Sequence, residues 1–194
     1  NNMPSFMKAT RTIIGEQTSR FAEPFPTGAG VDGSVGGVTI NIQKINGIII
    51  TTILVDLQGL LCSGTVKDII GEDGAAAAYL TRLMPAKNGI VYKAEMACIE
   101  KPAGSNTSFD FDLVSSAHSL PEDALYDSGA GALELSLIAA GGNWTKGMYK
   151  VSAVDTNWTN LANDYIYLAN GSGDNSGGTY TAGKVAITLY GANF

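Results

Sequence analysis

Residues 38 to 57, VTINIQKINGIIITTILVDL, decide the fold class. Two β-branched runs flank Asn46-Gly47, and both of these residues tolerate the positive φ that a two-residue hairpin turn requires. Alternation along the first run puts Val38, Ile40 and Ile42 on one side and Thr39, Asn41 and Gln43 on the other. The stretch therefore reads as a β-hairpin with one face toward a core.

The same signals recur outward from this hairpin. GIVYKAEMACIEK (89–101) is a strand ended by the turn PAGSNT. FDFDLV (109–114) alternates, with Phe109, Phe111 and Leu113 or Val114 inward and Asp110 and Asp112 outward. ALELSLIAAGG (132–142) fits a strand of alternating leucines or a short helix, the strand being favoured because the turn GGNWTKG follows at once, and KVSAVDT, DYIYLANG and GKVAITLYG complete the set. SGDNSGG (172–178) lies between the last two strands as a hairpin loop. About eight strands with frequent turn signals and almost no helix predict an all-β fold, two antiparallel sheets packed as a sandwich.

One segment departs from the pattern. GEDGAAAAYL (71–80) runs from a glycine loop into four alanines, the outline of a phosphate loop opening a helix. Glu72 and Asp73 occupy the entrance where a phosphate would sit, and no Lys, Ser or Thr stands at the position a phosphate loop requires after Gly74. The reading is structural: a short helix near residues 74–84, capped by Asp73, covering an open end of the sandwich through Leu80, Leu83 and Met84.

The N-terminal region, residues 1–35, has no sustained period of 2 or 3.6. Phe6, Phe21 and Phe25 are scattered among prolines, and Lys8, Arg11 and Arg20 face only Glu16 in the first twenty residues. It is expected to be an extended arm that packs on something else, ahead of a β-sandwich domain over 36–194.

Composition narrows the function. Charged residues make up 15% of the 194, against about 25% in an ordinary soluble domain. A formal charge of -6 sets the chain against phosphate backbones and anionic lipid, so nucleic acid and membrane are not expected partners. The first thirty residues hold no apolar core of secretory-signal length, and the longest apolar run, GIIITTILVDLQGLL, falls short of the roughly 20 residues that span a bilayer. Cys62 and Cys98 sit in apolar settings and read as small buried hydrophobes, with a single bridge between them left open.

No constellation for catalysis emerges. His118 is the only histidine and reads as a loop residue, which removes multi-imidazole metal sites, and no serine stands in a G-x-S-x-G elbow. Asp110, Asp112, Glu122, Asp123 and Asp127 match no calcium-loop spacing and read as a solvated face. Neither an enzyme, a metal nor a cofactor is expected. Trp144 and Trp158 both lie in NWT turns, which motivates an alternative: a carbohydrate-binding or adhesion module in which these indoles, with Tyr165 or Tyr167, stack on sugar rings.

TTILVDLQGLLCSGTVKDIIGEDGAAAAYLTRL and, far downstream, NDYIYLANGSGDNSGGTYTAGKVAITLYG resemble blocks of a family of small virion proteins of tailed phages, notably marine ones. The likeness covers about residues 38 to 191 and omits the arm. It implies a capsid decoration (cement) protein with a jelly-roll-like sandwich, often trimeric, bound to the major capsid protein on the outer surface of the virion. The arm, with Phe6, Lys8, Arg11, Arg20, Phe21 and Phe25 as its contact residues, suits clamping of neighbouring shell subunits, and an acidic body suits the outside of a shell.

Overall fold

A computed structural model describes residues 27–28, 30–31, 37–105, 109–127, 135–153, 158, 161–171 and 177–192. Among these, ten strands form two antiparallel sheets. They are β1 (Val38–Ile45), β2 (Ile48–Asp56), β3 (Leu61–Cys62), β4 (Thr81–Arg82), β5 (Ile90–Gly104), β6 (Phe111–Ser116), β7 (Leu135–Ile138), β8 (Tyr149–Val151), β9 (Tyr165–Asn170) and β10 (Gly178–Ala192). The six-stranded sheet runs β1-β2-β10-β5-β8, with β3 also on β10, and the four-stranded sheet runs β4-β9-β6-β7.

The hairpin forms as its residues dictate. Ile45 pairs with Ile48 across the two-residue turn, where Asn46 and Gly47 take φ of 51° and 82°. Alternation then decides which face of the large sheet meets the small one. Ile53 and Val55 of β2, Val185, Ile187 and Leu189 of β10 and Met96 of β5 are fully or nearly fully buried, while their alternate neighbours stay partly open. Phe111, Leu113 and Leu168 supply the opposing layer, and Tyr180 of β10 reaches within 6.5 Å of the Phe111 ring across the interface. A single apolar core spans both sheets.

Three local expectations are corrected. Gly74–Leu83 is not a helix; among the described residues the one short α-helix, α1 (Pro85–Asn88), begins just beyond it. Proline opens that turn, Gly89 closes it at φ 67°, and Asn88 is buried, its Oδ1 accepting from the Met84 N–H at 2.8 Å and its Nδ2 donating to Thr51 Oγ1. Leu80 and Leu83 are nevertheless core residues, held by strand-like bonds from Leu80 N to Ile166 O and from Leu83 N to Asp164 O.

The second correction concerns residues 172–178. β9 and β10 belong to different sheets and do not pair, so they are not the two arms of a hairpin; residues 172–176 themselves lie outside the described residues. The third concerns FDFDLV. Asp110 is buried, because the carboxyl occupies the space a side chain at Gly171 would need, and Gly171 N donates to Asp110 O. A register shift between Leu113 and Val114 then breaks the alternation, and Asp112 is half-buried with Oδ1 accepting from Ala140 N at 2.8 Å. Burial pushes the Asp112 carboxyl up, the Ala140 N–H opposes this and Asp110 adds to it.

Candidate functional site

The alanine segment is where the two ends of the chain's organisation meet. Gly28 N donates to Tyr79 O at 2.8 Å and Gly30 N to Ala77 O at 2.7 Å, so the close of the expected arm lies along residues 77–79 like an added strand. Val31 is buried in the core. A Cβ at Gly30 would fall 2.5 Å from Ala75 Cβ, and one at Gly71 would fall 2.7 Å from Ala78 Cβ. The alanines are there for their small size. Their helix propensity loses to bonds that a helix would have to break, including Ala78 N to Leu120 O.

Above this anchor sits the turn Gly71–Gly74. Glu72 N donates to Gly30 O at 2.6 Å, and Gly74, at φ 71°, donates its N–H to Glu122 Oε2 at 3.3 Å. Asp73 is exposed and caps no helix. Glu122 comes from the 120–126 loop, is only 7% exposed, and bonds through its own N–H to Ala75 O. The expected solvated acidic face is therefore divided. Asp123 and Asp127 are exposed, the latter paired with Lys67, but Glu122 and Asp110 are buried. Desolvation raises the Glu122 carboxyl to about 7, and the adjoining Asp123 and the charge of Asp73 push the same way.

The two tryptophans part company. Trp144 is fully buried, stacked on Phe111 with centroids 5.5 Å apart, and its Nε1 donates to Phe111 O at 2.8 Å. It has no free face for a sugar, which corrects the expectation for that residue. Trp158 is partly exposed and lines a cleft of about 200 Å³ with Leu83, Pro85, Ile90, Val91 and Leu161. Among the described residues no charged side chain lines this cleft. Tyr167 is buried and engaged, donating to His118 O and accepting from Leu120 N, while the Tyr165 ring meets that of Tyr79 at a tilt of 59° with centroids 4.8 Å apart. His118 is an exposed loop residue. Cys62 and Cys98 are buried free thiols, and Cys62 Sγ donates to Asn170 Oδ1 at 2.7 Å. Burial raises both thiols. Phe6, Lys8, Arg11, Arg20, Phe21 and Phe25 lie outside the described residues.

The largest feature that no motif announced is the outer face of the six-stranded sheet. Register places Leu54, Ala186, Ala97 and Tyr149 in one cross-strand row, and Thr52, Thr188, Glu95 and Val151 in the next. Leu54, Tyr149 and Val151 are each more than a third exposed, as are Ile45 and Ile48 at the hairpin end. The charges here are turned inward on one another. Lys93 pairs with Glu95 at 2.5 Å and lies 5.0 Å over the Tyr190 ring, whose hydroxyl donates to Glu95 Oε2. Burial alone would raise Glu95, but the bonds from Lys93, Tyr149 and Tyr190 outweigh it and hold the carboxyl below its usual range.

Among the described residues no group of three or more His, Cys, Asp or Glu is arranged to hold a metal ion, and no helix is long and apolar enough to cross a membrane. No family model matches the chain, and no curated protein or solved structure matches it either.

Proposed function

We propose that this protein is a structural virion component, a decoration or cement protein that binds the major capsid protein on the outer surface of a phage head. The observation that carries the reading is the outer face of the large sheet, where the exposed Leu54, Tyr149 and Val151 lie in rows with Ala186, Ala97 and Thr188, and the charges Lys93, Glu95, Lys184, Asp56 and Glu100 are paired with one another. Such a surface suits contact with other protein better than solvent. In this reading the two sheets are the layers of a jelly-roll-like sandwich, the face is shared between copies in a trimer, and the arm extends onto the shell from an anchor bonded to residues 77–79. The protein carries out no chemical reaction in this role.

Ala186→Glu tests the face, because it puts a charge in the middle of the Leu54 row without touching the core. Expected are an unchanged circular dichroism spectrum, loss of self-association in sedimentation velocity, and weakened co-sedimentation with purified shells. Removal of residues 1–26 is expected to leave the sandwich folded and to abolish shell binding. Full binding by both variants sinks the proposal.

The Trp158 cleft supports a second reading, a carbohydrate-binding or adhesion module in which one indole contributes to the site. Glycan arrays probed with wild type and Trp158→Ala separate the two. A sugar bound by the wild type and lost in the variant favours the module, and no binding removes it.

A further inference from the structure

The two oxygens of Glu122 are held unequally. Oε2 accepts from Gly74 N, whereas Oε1 is buried and meets no donor among the described residues. Against it stands the Asp123 carboxyl, within hydrogen-bonding reach. Asp123 is fixed there by a backbone at φ 62° and by its N–H bond to Ile69 O at 3.2 Å. A buried carboxyl oxygen without a donor, beside a second carboxyl, favours the protonated form of Glu122. Of the other described elements packed here, the Gly71–Gly74 turn contributes the negative Asp73, the 67–70 segment contributes buried Asp68 and Lys67, whose ammonium is paired with Asp127, and Gly28, Gly30 and Val31 carry no charge.

This pair lies directly over the arm anchor. A Cβ at Gly71 would be 3.1 Å from Glu122 Cβ and 3.2 Å from Gly30 O, so the turn is clasped between the carboxyl's stem and the anchor strand. Glu72 N to Gly30 O and Glu122 N to Ala75 O complete the clasp. Movement of the Glu122 side chain is thereby passed to Gly28–Val31.

We propose that the buried Glu122 carboxyl is a proton-operated latch on the arm anchor: with its proton in place it holds the Gly71–Gly74 turn and the Gly28–Val31 segment, and with that proton lost both loosen while the sheets stay intact. The proposal holds whatever the arm binds, and so stands apart from the virion reading. The pH window follows from the raised Glu122 carboxyl. Its folded value lies above its unfolded one, so its contribution is complete below about 4.5 and disappears as pH rises through about 7.

Hydrogen exchange of the full chain at pH 5.5 and 8.5, corrected for the intrinsic rate, tests this. Wild type is expected to lose about tenfold or more protection at residues 28–31 and 71–79 on going to pH 8.5, with β10 unchanged. Glu122→Gln is expected to stay protected at both pH values, because the amide supplies a donor to Asp123 and keeps the acceptor for Gly74. Equal wild-type protection at the two pH values overturns the latch, and so does an undiminished pH effect in Glu122→Gln. Should that variant fail to fold by circular dichroism, Asp123→Asn replaces it: with the neighbouring negative charge gone, the loss of protection is expected to move to lower pH, and a transition that does not move is equally fatal.

Discussion

The β1–β2 hairpin and the anchor of the arm on residues 77–79 are both antiparallel pairings, yet they are built in opposite ways. In the hairpin, eight consecutive pairs form around a turn whose two residues supply the required backbone. In the anchor, two glycines bond to a segment far along the chain, and the contact exists because Gly28, Gly30 and Gly71 leave room for Ala75, Ala77 and Ala78. One pairing is specified by neighbours, the other by fit between distant segments. The difference teaches which substitutions act through conformation and which through space, and it can be broken apart experimentally.

The largest effect is expected in the buried aromatic stack of Trp144 on Phe111. Trp144→Ala removes the ring stacked on Phe111 and leaves Phe111 O without its indole donor. A loss of about 3–5 kcal/mol in unfolding free energy is expected from urea denaturation. Trp144→Phe keeps most of the volume and should lose less. A change under about 1 kcal/mol in Trp144→Ala, well below the usual cost of deleting a core aromatic, shows that the stack is not a structural joint.

At the anchor, Gly30→Val is expected to cost about 1–3 kcal/mol through overpacking, since even a Cβ there meets Ala75 at 2.5 Å and Ala77 O at 2.9 Å. The effect should be local. Exchange of the amides at 77–80 rises while β2 and β10 stay protected, and a compensating Ala75→Gly restores part of the loss. If Gly30→Val unfolds the whole domain in step with the anchor, the anchor is part of the central cooperative unit and the contrast with the hairpin fails.

These two sites also show what a reader of the chain can and cannot extract. Strands β1, β2, β5, β9 and β10 are legible because β-branched alternation and the Asn46-Gly47 turn act within a few residues. The four alanines mislead because their intrinsic preference is helical, and the bonds that override it come from Gly28, Gly30, Leu120 and Ile166, partners no local window contains. Asp110 and Glu122 look like surface acids for the same reason: one is buried against Gly171 and the other under the Gly71–Gly74 turn, and neither meeting is visible until the loops are placed. The tryptophans could be singled out from their repeated NWT setting, but only packing distinguishes the buried Trp144 from the half-open Trp158. The outer-face rows emerge only when register aligns β2, β10, β5 and β8.

The smallest expected effect isolates the conformational half of the comparison. Gly47 has φ 82°, and a Cβ built on it meets nothing within 4 Å, so Gly47→Ala carries strain without a clash. A loss of about 1–2 kcal/mol is expected from thermal or urea unfolding, the ordinary cost of the left-handed region for an L side chain. Gly47→Asn should recover part of it, because asparagine tolerates that region better than alanine, as Asn46 at φ 51° illustrates. Were Gly30→Ala to behave like Gly47→Ala, with a loss relieved by asparagine, the anchor too would be governed by backbone preference. A Gly30 variant that worsens steadily with side-chain volume, beside a Gly47 variant that ignores volume, instead assigns the two pairings to separate physical causes.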